Sequence, residues 1–199
     1  VAADPAAALT ALARGCRLGD NGSCFELDGA AAAAHADDAT RAAARSIAEE
    51  GLARFDKGDF AGALERFDKA DALVHAPTMG LMAARSLEKL GRLVEASERY
   101  LAVSQARLDA GARPEQKQAQ ATAEAERAAI LPRIPALIVK FEGSAPADQA
   151  RVSIDGAPVP AALLGIKRPT NPGKHRVEAV LGAETTGEDV TLSPGETRT

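Results

Sequence analysis

Residues 58–70 read GDFAGALERFDKA, and the spacing within this stretch decides how the first two thirds of the chain are interpreted. Gly58 can adopt the left-handed conformation that ends a helix, and Asp59 is a preferred residue for starting the next one. Small and large apolar residues then follow at helical intervals, which is typical of a helix that buries one face. The stretch therefore predicts the turn and second helix of a helical hairpin.

The same pattern returns 33 residues later in the chain. Each matched position keeps its size class, small on small or large apolar on large apolar. The pairs are Gly51 with Ala84, Gly58 with Gly91, Phe60 with Leu93, Ala63 with Ala96, Phe67 with Tyr100 and Ala70 with Val103. Such a repeat indicates stacked antiparallel hairpins, in which small residues let two helices touch and large ones fill the space between hairpins.

This spacing resembles the tetratricopeptide repeat. Residues 45–77 match its pattern well, whereas residues 78–111 match more loosely because Arg92 stands where an acidic residue is usual. The segment 114–131 resembles the solvating helix that closes such arrays. The resemblance implies a scaffold that binds a protein or peptide segment and carries no catalytic site.

Capping residues predict where the other helices begin and end. One helix starts at Asp4-Pro5 and fades at Leu18-Gly19, and a second runs from about Ser23 to Ala36. Asp37 or Asp38 caps a third, which ends near Lys57, and Thr78 caps the helix that Gly91 terminates. The next helix runs to about Ala110, and Pro114 opens the last one, which ends at Leu131.

The N-terminal stretch resembles the SEL-like repeat, a relative of the tetratricopeptide repeat, through RGCRLGD at 14–20 and GSCFEL at 22–27. Cysteine-rich members of that family place two cysteines eight residues apart and bridge the hairpin with a disulfide. Cys16 and Cys24 have this spacing, so the resemblance implies a disulfide and an oxidising compartment. The alternative is a pair of buried thiols in a cytoplasmic protein.

The chain changes character near residue 132. Before this point lie 37 of the 46 alanines, and from it onward 8 of the 11 prolines. Two-residue alternation predicts strands at 137–141, 151–155 and 175–181 and a last strand beginning at Val190, with a tight turn at Asp155-Gly156. VSIDG at 152–156 and PGKHRV at 172–177 resemble the PEGA-type β-sandwich. The sheet looks incomplete at Thr199.

These observations predict an α+β, mainly α chain: an α-solenoid of stacked hairpins followed by a small antiparallel β-sandwich. The predicted units are an SEL-like hairpin at 1–36, two tetratricopeptide-type repeats at 37–112, a closing helix and hinge at 113–134, and a PEGA-like sandwich at 135–199. The hinge rests on Pro132 and Pro135, since proline ends a helix and holds the chain extended.

Composition and charge exclude several functions. The net charge is −4, aromatic residues make up 3% of the chain, and there is no tryptophan. Neither half offers the basic face that phosphate binding needs, so nucleic acid is not an expected partner. Because the sequence contains no run of 18 apolar residues, we expect no transmembrane segment.

No residue pattern predicts catalysis, a metal or a cofactor. His35, His75 and His175 lie on different elements, and Cys16, Cys24 and His35 lack the spacing of a zinc site. Phosphate-loop and nucleophile-elbow motifs are absent from the sequence. One basic loop, formed by Lys167, Arg168, Lys174 and Arg176 with His175, is a candidate for weak contact with anionic envelope polymers, and a solvated hairpin is the alternative.

We therefore expect a non-enzymatic scaffold of the bacterial cell envelope or periplasm that holds a protein segment on its helical repeats. The chain begins at Val1, so we expect a processed or excised piece. The alternative is the partner-binding or sensory portion of a larger multidomain regulatory protein, such as a membrane-anchored kinase.

Overall fold

The structure is a computed structural model that describes residues 16–18, 24–26, 29–108, 110–141 and 150–199, with side chains from residue 37 onward. Within these ranges the chain is α+β. Its α-helices are α1 (Gly29–Asp56), α2 (Phe60–Leu73), α3 (Pro77–Lys89), α4 (Leu93–Ser104) and α5 (Pro114–Ile130). Each helix packs on the next in the chain, and α3 also packs on α5.

The 33-residue period is visible in the backbone. Helices α1 and α3 end at Asp56 and Lys89, and α2 and α4 begin at Phe60 and Leu93. Between them, Gly58 and Gly91 have φ values of 79° and 76°, the left-handed conformation that glycine adopts without steric cost. The amide N–H groups of both glycines donate to the carbonyl three residues earlier. The two turns are therefore copies of one another in conformation and hydrogen bonding.

Small and large apolar residues of the repeat form the helical core, as predicted. Ala63, Ala96 and Tyr100 are fully buried, and Phe67 is 2% exposed. A Cβ atom on Gly51 would lie 3.0 Å from Cε1 of Phe67. The small residues of α1 and α2 therefore set the distance between these helices, and the Phe67 ring occupies the space that they leave.

Two predicted helix starts are wrong. The boundary predicted between residues 36 and 37 falls inside α1, because the alanine-rich segment before it contains no helix breaker, and Asp37 and Asp38 pair with Arg41 one turn later in the same helix. Helix α3 begins at Pro77, before Thr78, since the fixed φ of proline suits the first helical position.

Helix α4 ends at Ser104, well before the predicted Ala110. The side chain of Gln120, on α5, donates from Nε2 to the carbonyl oxygens of Val103 and Ala106 at 3.4 and 2.5 Å. Because these carbonyls are satisfied from the neighbouring helix, α4 can end there at little cost.

Residues 16–18 and 24–26 form two short antiparallel strands, β1 (Cys16–Leu18) and β2 (Cys24–Glu26), so the helices predicted over these residues are wrong. The Asn21-Gly22 pair between them is a strong hairpin signal that competes with helix formation. The ladder pairs Cys16 with Glu26 and Leu18 with Cys24. Both cysteine side chains lie outside the described part of the chain, and their disulfide stays a prediction.

The remaining strands form two sheets. The first sheet consists of strands β3 (Ala136–Leu137), β6 (Arg168–Pro169) and β9 (Thr197–Arg198). Their order is β6-β3-β9, with β3 and β9 parallel. The second is antiparallel, in the order β5-β4-β7-β8. Its strands are β4 (Arg151–Ile154), β5 (Ala157–Val159), β7 (Gly173–Leu181) and β8 (Glu184–Leu192). Leu137, Val152 and Leu192 belong to the buried cluster of this region.

The Asp155-Gly156 turn is confirmed, since both residues have positive φ and join β4 to β5. The strand predicted at 137–141 shortens to β3, and Val190 lies near the end of β8, not at the start of a last strand. Gly182, with a φ of 60°, makes the β7–β8 turn and thereby starts β8 earlier than predicted.

Replacing Phe67 with alanine tests the packing of the repeat. Phe67→Ala is expected to lower the free energy of unfolding by about 3–5 kcal/mol, because a buried ring leaves a cavity that the helices cannot fill. The control Leu73→Ala removes a side chain that is 45% exposed on the same helix and should change it by less than about 1 kcal/mol. Chemical denaturation followed by circular dichroism measures both, and equal effects would contradict this account of the core.

Candidate functional site

An open groove between α3 and α5 is the candidate binding site of the helical part. Its volume is about 540 Å³, and its floor is apolar and buried, with Leu81 from α3 and Ala119 from α5. Half-buried Met82 and Thr122 stand beside the floor. The other lining residues are Thr78, Arg85, Pro114, Glu115 and Gln118.

Arg85, which lines one wall of this groove, forms an ion pair with Glu126 of the other helix. Arg85 Nε lies 3.1 and 3.0 Å from the two carboxylate oxygens of Glu126, and Nη2 lies 2.5 Å from Oε1. Fork-shaped contact of this kind fixes both side chains in one geometry. Arg85 also contacts the sulfur of Met82 at 3.7 Å. The charges at this wall are thus matched within the protein.

The ionisation of these groups follows from their surroundings. Hydrogen bonding to Glu126 raises the pKa of Arg85, despite partial burial. Burial alone would raise the pKa of Glu126, but the hydrogen bonds and positive charge of Arg85 outweigh it and hold that pKa below its ordinary value. Burial and the nearby carboxylates raise the pKa of Tyr100. Its hydroxyl therefore stays protonated and donates to Oε2 of Glu88 at 3.2 Å.

The repeat residues singled out in the sequence do not line this groove. They make up the turns and the core beneath it, as Ala63, Phe67 and Tyr100 illustrate. The groove residues carried no signal of their own, because Arg85 and Glu126 are 41 residues apart and meet only when α5 packs on α3. The sequence thus indicates the helical repeat but not the groove on its surface.

A second contact that the sequence did not indicate joins His175 to Asp155. His175 Nδ1 lies 2.6 Å from Asp155 Oδ2, and Nε2 lies 2.8 Å from the carbonyl oxygen of Asn171. The strand register explains this contact: Ile154 pairs with Val177, which brings the Asp155 turn beside His175. Both ring nitrogens are engaged, so the imidazole holds local structure and presents neither nitrogen to a substrate.

The predicted basic loop is divided between two sheets. Lys167 and Arg168 belong to the segment of β6, whereas Lys174 and Arg176 lie on β7. Arg176 pairs with Asp189 at 3.1 Å and with Glu178 at 3.5 Å, which offsets its charge. Lys167, Lys174 and Arg176 are the exposed cations of this set, and the charge of Arg176 is offset by its partners.

A further groove of about 560 Å³ lies between the two sheets of the β region. Leu137, Val139, Phe141 and Val177 give it apolar walls. In the described ranges no three His, Cys, Asp or Glu side chains are grouped as a metal site, and no helix there has the length and apolar character needed to cross a bilayer.

Comparisons with protein-family models, with curated proteins and with solved structures found no match to the chain.

The Glu126 carboxylate predicts a pH dependence of stability. Its pKa is lowered in the folded state, so its contribution is present above the unfolded value and is lost as the pH falls through the folded one. We expect Glu126→Gln to lower the melting temperature at pH 7 and to flatten its decline towards pH 4. Glu124→Gln, on the exposed side of the same helix, should keep the wild-type profile. Parallel declines in wild type and Glu126→Gln would contradict the proposed role of the ion pair.

Proposed function

We propose that the chain is a non-enzymatic protein-binding scaffold whose helices hold a segment of a partner protein in the groove between α3 and α5. The observation that carries the proposal is the groove itself, with its buried floor at Leu81 and Ala119 and a lining arginine, Arg85, whose charge is matched by Glu126. A concave, mainly apolar surface with a few fixed polar groups is the usual form of a binding site.

The chemistry of the groove favours a particular kind of segment. Because Arg85 is matched by Glu126, a charged partner gains little by approaching it, whereas apolar side chains gain from covering Leu81 and Met82. The thioether of Met82 adapts to different shapes, which suits binding of varied apolar side chains. Thr78, Gln118 and Thr122 supply hydroxyl and amide groups for the backbone of the bound segment.

The architecture proposed with this function has two parts. An α-solenoid of two tetratricopeptide-type hairpins is closed by α5, and a PEGA-like β-sandwich follows it. The tetratricopeptide-type hairpins are supported by the repeated turns at Gly58 and Gly91 and by the 33-residue spacing between equivalent helix ends. Two small sheets that share one buried cluster support the second. We further propose export to the periplasm or cell envelope, for which the Cys16–Cys24 spacing is the support.

Blocking the groove tests the binding proposal. Peptides selected from a random displayed library against the full chain should lose at least about tenfold in affinity for Thr122→Arg, because an arginine there fills the groove and places an unmatched charge in it. Ala121→Arg, an exposed neighbour outside the lining, is the matched control and should bind as wild type does. A library without binders, or binders that tolerate Thr122→Arg, would overturn the proposal.

The localisation proposal has its own test. Intact-mass measurement of the chain purified under non-reducing conditions from periplasm should show the mass of the Cys16–Cys24 disulfide, with two thiols alkylated only after reduction. A short closed loop of this kind would stabilise the fold by about 2–3 kcal/mol in the chain-entropy model. Alkylation of both thiols without reductant or denaturant would remove the support for export.

A further inference from the structure

The second hairpin lacks a cap that the first one has. At the start of α2, Asp59 Oδ1 accepts a hydrogen bond from the Gly62 amide at 3.0 Å. At the equivalent position before α4 stands Arg92, whose side chain makes no cap and pairs with Glu95 at 3.0 Å. An arginine has no acceptor to offer, so the first amide groups of α4 need a partner from elsewhere.

That partner is Asn171 from the β region. Its Oδ1 accepts from the Val94 amide at 2.9 Å, and its Nδ2 donates to Glu95 Oε2 at 2.7 Å. The side chain therefore does for α4 what Asp59 does for α2, but from 77 residues further along the chain. The β region is thereby attached to the second hairpin through a helix cap.

His175 fixes the backbone of Asn171 through its carbonyl oxygen. Its ring is 11% exposed and lies between two oxygen acceptors, Asp155 Oδ2 at 2.6 Å and the Asn171 carbonyl at 2.8 Å. Asp155 is itself fixed, because its Oδ1 accepts from the Arg176 amide at 2.8 Å. Only the doubly protonated imidazolium has an N–H group for each of the two oxygens.

We propose that Asp155, His175 and Asn171 form a protonation-controlled latch that holds the β region on the N-terminus of α4. Loss of one proton from His175 leaves one ring nitrogen as an acceptor facing an acceptor, which loosens the Asn171 backbone and with it the cap on Val94. The latch closes at acidic pH and loosens as the pH rises through the range in which histidine loses its second proton. It operates whether or not the groove binds a peptide.

The charged groups around this ring are few in the described ranges. Asp155 faces it from the β4–β5 turn, and Glu95 of α4 is reached through the Asn171 amide. Lys174 and Arg176 adjoin it on β7, and Asp189 of β8 pairs with Arg176. Burial alone would raise the pKa of Asp155, but hydrogen bonding to His175 and to the Arg176 amide keeps it below its ordinary value. Asp155 therefore stays a carboxylate and accepts from the His175 ring.

Amide hydrogen exchange of the full chain between pH 5 and 8 tests the latch. The protection factor of Val94, corrected for the intrinsic exchange rate, should fall about tenfold from pH 5 to pH 8, the size expected for one lost hydrogen bond. The Gly62 amide, capped by Asp59 in the first hairpin, is the internal control and should not change. The midpoint of the Val94 change should coincide with the titration of the His175 ring followed by NMR.

Variants separate the latch from simple helix capping. His175→Gln should abolish the pH dependence of Val94 protection, whereas His75→Gln, at a histidine whose side chain is 85% exposed, should leave it intact. Asn171→Ala should lower Val94 protection at every pH. Adding Arg92→Asp to Asn171→Ala supplies a cap within the hairpin and should restore that protection without its pH dependence.

Residual dipolar couplings report on the attachment itself. We expect one shared alignment of the helices and β strands at pH 5 in the wild type, and separate alignments in Asn171→Ala with or without Arg92→Asp. The latch is overturned if Val94 protection is flat from pH 5 to 8 in the wild type, or if His175→Gln retains the wild-type pH dependence. A shared alignment that survives Asn171→Ala also overturns it.

Discussion

The close approach of helices at residues without large side chains is the constraint on which the helical part depends. A Cβ atom on Gly51 would meet the Phe67 ring at 3.0 Å, and one on Gly80 would lie 2.6 Å from Cγ2 of Val103. Fully buried Ala63 and Ala96 repeat this arrangement in α2 and α4. With helices this close, a few large rings are enough to fill the remaining space, which explains an alanine-rich chain with only 3% aromatic residues.

Polar contacts between residues far apart in the sequence supply partners for groups that the apolar packing leaves unsatisfied. Arg85 and Glu126 join α3 to α5, and Arg133, just after α5, donates to Glu88 Oε1 at 2.6 Å. Asn171 completes the start of α4. Each contact satisfies charged or backbone groups that the apolar packing leaves without a partner.

This arrangement relates the proposed binding surface to the β region. Helix α4 packs against both helices that border the groove, and the Asn171 cap sits on the N-terminus of that same helix. The proposed latch therefore acts on an element in direct contact with the walls of the groove. The proposed binding surface is thus supported by a helix whose N-terminus is capped from the β region.

The sequence by itself determined the local features: the 33-residue repeat, the left-handed turns at Gly58 and Gly91, the Asp59 cap and the Asp155-Gly156 turn. Each depends on the conformational preference of one residue or on spacing along one helix, and both are readable without knowing the fold. Only the packing of separate elements produces the end of α4 under Gln120, the Arg85–Glu126 ion pair and the Asn171 cap. The residues that meet in these contacts are 14 to 77 positions apart in the sequence. Such contacts form only when separate elements pack together.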